Sequence, residues 1–152
     1  IVYSHKERKI ATDSRESAGS FIYSDNAVKM DINKHGYWFV SGSSVDVDVI
    51  IEGIGKPKRG RFPKIEGVKD FAGIVCDSDG EIFEFYSSEE NLMIMKMNDS
   101  GAVGSGLDYA TAAIDLGKSC GDAIRYAMTR DNATGGTVLV FDCETKEVLS
   151  HE

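Results

Sequence analysis

A chain of 152 residues is long enough for one domain with a real core and short for two of ordinary size, so residues 1–152 are read as a single domain. With 17 basic against 25 acidic residues the net charge is −8, and such a field repels phosphate backbones, which argues against nucleic acid as a partner. No stretch approaches the roughly 18 consecutive apolar residues of a membrane span, and no charged-then-apolar leader opens the sequence, so a soluble, cytoplasmic protein without membrane contact is expected.

Cys76, Cys120 and Cys143 are odd in number and lack histidine neighbours at zinc spacing. They read as reduced thiols used for packing, and no metal or cofactor is expected.

In chain order, the opening residues 1–17 suit two short strands joined by a hairpin at Lys6 to Lys9. Phe21 to Ile32 and Tyr37 to Val40 read as a second pair, with Asn33-Lys34-His35-Gly36 as the turn. Val45 to Ile51 is ambiguous: its valines favour a strand, while Ser43 and Ser44 are plausible helix caps and Asp46 suits a first helical turn. Lys56 to Lys64 carries five cations with no acid between them, and its prolines and glycine predict a solvated loop that could meet an acidic partner. Phe71 to Met97 predicts a three-strand meander. Leu107 to Leu116 and Ser119 to Thr129 are helical in pattern and broken at Gly117, and Thr137 to Cys143 closes as a buried strand. Strands, a helix, strands, a helix pair and a strand describe an α+β chain.

Several signals drop out. Gly117-Lys118-Ser119 has Ala112 where a phosphate-binding loop needs its first glycine, and Asp77 to Glu81 lacks the twelve-residue frame of a calcium loop. His5, His35 and His151 are far apart in sequence and read as surface residues.

Three segments carry what chemistry there is: Ala11-Thr12-Asp13-Ser14-Arg15, the lone Lys29, and Arg130-Asp131-Asn132-Ala133-Thr134-Gly135-Gly136. Taken singly they have plain readings: an Asp13–Arg15 ion pair at a strand end, Lys29 exposed on a strand, Ser105 a helix cap, and Asp131-Asn132 a helix stop. Taken together they resemble proteasome β-subunits and HslV-like N-terminal-nucleophile (Ntn) hydrolases. That family has an A-x-D-x-R-like strand end with a lysine sixteen residues after the aspartate, as Lys29 follows Asp13. Ala102-Val103-Gly104-Ser105-Gly106 followed by Tyr109-Ala110 resembles its G-S-G entry to a helix, and residues 130–136 resemble its R-D-x-x-S-G-G with Thr134 in the serine place. Ser41 to Asp46 resembles its small-residue turn into a first helix, which makes Ser43 to Glu52 a helix by resemblance.

The resemblance implies a four-layer αββα sandwich of two antiparallel sheets, with one helical layer reduced because a basic loop replaces the helix usual between Glu52 and Phe71. It implies a threonine-type endopeptidase in a homo-oligomeric ring, taking peptide or unfolded protein and served by an AAA+ unfoldase. The family's nucleophile stands one or two residues before the Ile-Val of its first strand. A threonine is therefore expected just before Ile1, in a preceding segment such as Met-Thr-Thr. An N-terminal threonine supplies its own base, since an α-amine has an ordinary pKa of about 7.7–8.0. By resemblance Lys29 lowers that pKa further, Asp13 holds Lys29, Asp131, Ser105 and Thr134 orient the amine, and the Gly42 N–H faces the oxyanion. Glu16, Ala27, Val40 and Ser44 would line a substrate pocket without a sharp preference. The alternatives are an inactive structural subunit and an amidase of the wider fold.

Overall fold

The computed structural model describes residues 1–42 and 46–151. The chain opens with Val2–Ser4 (β1) and Lys9–Asp13 (β2), then Glu16–Ala18 (β3) and Phe21–Ser24 (β4). Met30–Asn33 (β5) and Gly36–Ser41 (β6) lead to helix Val47–Ile54 (α1). Strands Gly60–Pro63 (β7), Ala72–Asp77 (β8), Ile82–Ser87 (β9), Asn91–Lys96 (β10) and Gly101–Ala102 (β11) follow. Helices Leu107–Asp115 (α2) and Cys120–Met128 (α3) precede the closing strands Val138–Asp142 (β12) and Glu147–His151 (β13).

These elements form two compact units, one of Ile1–Lys29 with Asp99–Glu152 and one of Met30–Asn98. In the first, an antiparallel sheet runs β11-β1-β2-β12-β13, and β3 and β4 make a separate ribbon. Helices α2 and α3 bury Ala110, Ala113, Ala123, Ile124 and Ala127 with Val2, Ala11 and Val138 of the sheet. Alanine at these positions puts no bulk between helix and strand, so their backbones can approach closely. The start of α3 is doubly served: Ser119 Oγ accepts the Asp122 N–H at 3.2 Å, and Glu7 Oε2 accepts the Cys120 N–H at 2.8 Å. Burial pushes the Cys120 thiol up to about 12, as suits a packing residue rather than a nucleophile.

The second unit is an antiparallel sheet ordered β5-β6-β8-β9-β10-β7 with α1 packed on it. Its core gathers Trp38, Ile50, Ile51, Phe71, Val75, Phe83, Phe85, Leu92 and Ile94. Trp38 keeps its indole N–H satisfied on Asn33 Oδ1 at 2.8 Å.

Three expectations are corrected. The protein is mostly β, with thirteen strands in three antiparallel sheets and three helices of eight or nine residues among the described residues, not a four-layer αββα sandwich. Two of the helices are short because glycine stops them: α1 ends at Gly55 (φ 64) before Pro57, and α2 runs out at Gly117 (φ 85). Part of the basic segment pairs with β10 as the edge strand β7 rather than staying a loop. Phe21 to Ile32 is not one strand, since β4 pairs back on β3 while β5 pairs forward on β6. The ambiguous segment is helical over Val47–Ile54, in line with the resemblance, with Asp46 at the N-cap position but making no side-chain cap hydrogen bond, and residues 43–45 lie outside the described residues. The hairpin, the meander and the helix pair fall where the pattern puts them.

Candidate functional site

The end of β2 carries the first part of the site. Asp13, only 6% exposed, accepts the Lys29 ammonium on Oδ1 at 2.6 Å. Its Oδ2 accepts the Gly135 N–H at 2.9 Å and the Arg15 N–H at 3.3 Å. A carboxylate buried this far is tolerable because a cation and two backbone donors meet it. Lys29 is 19% exposed and held, which excludes the plain reading of an exposed strand lysine.

The turn after α3 carries the second part. Ser105 and Thr134 both donate to Asp131 Oδ2 at 2.6 Å, and the Ala133 N–H donates to Oδ1 at 3.2 Å. Burial alone would raise the Asp131 carboxyl. The Ser105, Thr134 and Ala133 hydrogen bonds, with the Lys29 charge, instead bring it below the ordinary carboxylate range. Ser105 does not cap α2: the capping position is Gly106, without a side-chain hydrogen bond, and the serine hydroxyl goes to Asp131. Gly106 is required there, since a Cβ would stand 2.7 Å from Thr134 Oγ1.

Both parts face one small cavity of about 30 Å³, lined among others by Ile1, Asp13, Lys29, Ser105, Gly106 and Thr134. The Ile1 nitrogen donates to Val103 O at 3.2 Å, and the Val103 N–H donates back to Ile1 O at 2.9 Å. The amine is pushed down from 8.0 to about 6, chiefly by burial and further by the Lys29 charge, with Asp13 pulling the other way.

Comparisons with protein families and with curated proteins find no match. Among solved structures the chain is similar in fold to Thiobacillus denitrificans BPH in complex with Epoxomicin. The TM-score is 0.68 at 14% identity, over 92% of this chain and 95% of that one. A second structure of Thiobacillus denitrificans BPH is similar with a TM-score of 0.65 at 14% identity, over 88% and 90% of the two chains. At that identity the likeness is one of fold.

The sequence-named residues thus divide. Asp13, Lys29, Ser105, Asp131 and Thr134 come together. Glu16 opens β3, half-buried, and Ala27 donates its N–H to Ser14 O at 2.9 Å, so both stay in the same unit without lining the cavity. Val40 and Gly42 belong to the other unit, where Gly42 takes φ 136 with Asp70 O 2.9 Å from the place of a Cβ. Ser44 lies outside the described residues. Among the described residues no group of three His, Cys, Asp or Glu could hold a metal ion, and no helix is long and apolar enough to cross a membrane.

Sequence reasoning missed the support around Asp13. Ser14 is a hub: its hydroxyl donates to Asp25 O and accepts from Thr137 N at 2.7 Å and Thr137 Oγ1 at 3.1 Å, while its N–H meets Gly135 O at 3.1 Å. Arg15 pairs with the Asp25 carboxylate, not with that of Asp13. Ser14 and Arg15 stand in the motif itself, but nothing in the polar run Ser24-Asp25-Asn26 signals a long-range partner.

Proposed function

We propose that the chain is a threonine-type endopeptidase subunit of a proteasome-like, HslV-like protease, with the nucleophile supplied by a residue preceding Ile1. The observation that carries this reading is the register at the start of the sheet. Ile1 exchanges both backbone hydrogen bonds with Val103, so a residue before Ile1 that continued the antiparallel ladder would lie opposite Gly104 and the next opposite Ser105. That is where Asp131 gathers Ser105 and Thr134 and where the Lys29–Asp13 pair lines the cavity.

In this reading the threonine Oγ–H gives its proton to its own α-amine as Oγ attacks the scissile carbonyl. The ammonium so formed then protonates the departing amine, and water hydrolyses the ester left on the threonine. Lys29 disfavours a charged amine and favours the ionising hydroxyl, and Asp13 keeps the ammonium aimed. Asp131 orients the polar groups around the amine through Ser105 and Thr134. A cytoplasmic homo-oligomeric ring, peptide or unfolded protein as substrate and an AAA+ unfoldase as partner complete the proposal.

The test is release of a fluorophore from short peptidyl substrates by the protein with a free N-terminal threonine before Ile1, against the same protein carrying Lys29→Ala. Equal rates would sink the base chemistry. Cleavage of small acyl amides alone would favour an amidase, and no turnover at all would favour a structural subunit. Epoxomicin, the compound bound to the structurally similar protein, is a second probe, read as a mass increase on the intact chain or its absence. Light scattering on the eluting protein decides the ring.

A further inference from the structure

The turn that presents Asp131 is held from the side by one residue to which no role falls above. Arg15 grips Asp25 with Nε at 2.7 Å to Oδ1 and Nη2 at 3.1 Å to Oδ2. Its remaining nitrogen, Nη1, donates to Asn132 O at 2.9 Å. The guanidinium lies against Gly135 so closely that a Cβ there would run into Cζ and Nη2. Gly135 in turn donates its N–H to Asp13 and its carbonyl accepts from Ser14. One planar side chain therefore touches the turn at both ends, between Asp131 and the strand end that holds Lys29.

We propose that Arg15 is a positioning residue for the candidate site: locked on Asp25, it clamps residues 132–135 against the end of β2 and thereby sets where Asp131 offers its carboxylate to Ser105 and Thr134. This rests on the peptidase reading for its catalytic consequence, but the clamp itself is a statement about the turn. Arginine is required because only a fork can hold a carboxylate bidentately and still donate to a carbonyl, whereas lysine brings a single ammonium. A turn displaced by about 1 Å costs roughly 100-fold in rate at a site that works by orientation.

The experiment uses Arg15→Ala, Arg15→Lys and Asp25→Asn in the protein with its N-terminal threonine. In the first two, kcat should fall roughly 10- to 100-fold with KM little changed. Millimolar guanidinium should restore part of the rate in Arg15→Ala and not in Arg15→Lys. By carbon NMR the Asp131 carboxyl should titrate at higher pH in all three variants, and the Gly135 amide signal should move. An unchanged kcat in a protein that is otherwise active, or a loss that only tracks the unfolded fraction, overturns the proposal. If the unsubstituted protein cleaves nothing, the peptidase reading fails while the NMR arm still decides the clamp: an Asp131 titration unmoved by Arg15→Ala overturns it.

Discussion

Lys29 Nζ lies 2.6 Å from Asp13 Oδ1, and the two partners are unequally served, because Asp13 also accepts two backbone N–H groups. Removing the carboxylate strands more than removing the ammonium. Asp13→Ala leaves the half-sheltered Lys29 charge and the buried Gly135 N–H unmet, at a cost of about 3–5 kcal/mol. Lys29→Met leaves Asp13 with its two N–H donors and should cost about 2 kcal/mol. Urea unfolding of both variants measures this, and a Lys29→Met variant as unstable as Asp13→Ala would contradict the unequal sharing.

Thr134 gives Asp131 one of its two hydroxyl donors, so the residue needs its oxygen and not its methyl. Thr134→Ser should leave the Asp131 titration unmoved, while Thr134→Val should raise it toward the ordinary value of about 3.9. The native carboxyl titrates below its unfolded value, so it contributes stability above about pH 4 that is lost as pH falls through the lower native pKa. In Thr134→Val less of that contribution remains. Acid unfolding followed by circular dichroism should therefore begin at higher pH for valine than for threonine or serine, and coincident curves for all three would count against the shared carboxylate.

Much of this was readable from one sequence because it is local. The β1–β2 hairpin, the β8–β9–β10 meander and the α2–α3 break at Gly117 follow from turn residues and periodicity within a dozen positions. The Asp13–Lys29 and Ser105–Asp131–Thr134 contacts came instead from a resemblance, since no local pattern brings Ser105 beside Asp131. What stayed hidden needed tertiary pairing. β7 is a strand because β10 offers it an edge, and Arg15 pairs with Asp25 beside the contact of Ser14 with the distant Thr137. The layered expectation failed for a related reason: a family pattern names motifs, but helix length is set by stops such as Gly55 and Pro57.

Gly73 tests the second unit separately. Its missing side chain is what lets β8 lie under Phe85, since a Cβ there would overlap the Phe85 ring and Phe39 O. The clash is partly with backbone, which cannot rotate away. Gly73→Ala should destabilise by about 2–3 kcal/mol by thermal or urea unfolding, and a neutral substitution would mean that the strand can shift.

The Ile1 nitrogen yields a pH test that separates two chain starts. In a protein beginning at Ile1 the buried amine has a native pKa of about 6 against 8.0 unfolded. Between those values the unfolded chain holds the proton and the folded chain does not, so stability rises with pH across that window and levels off above it. The rise should be on the order of 2–3 kcal/mol. In a protein extended by a threonine before Ile1 the same nitrogen is an amide and cannot titrate. Its bond to Val103 O persists and this rise disappears, while the new α-amine titrates according to its own surroundings beside Ser105. Unfolding free energies at pH 5.5 to 8.5 for the two proteins distinguish them. A rise of the same size in both would mean that it comes from another group, and that the ladder position assigned to Ile1 is not what sets it.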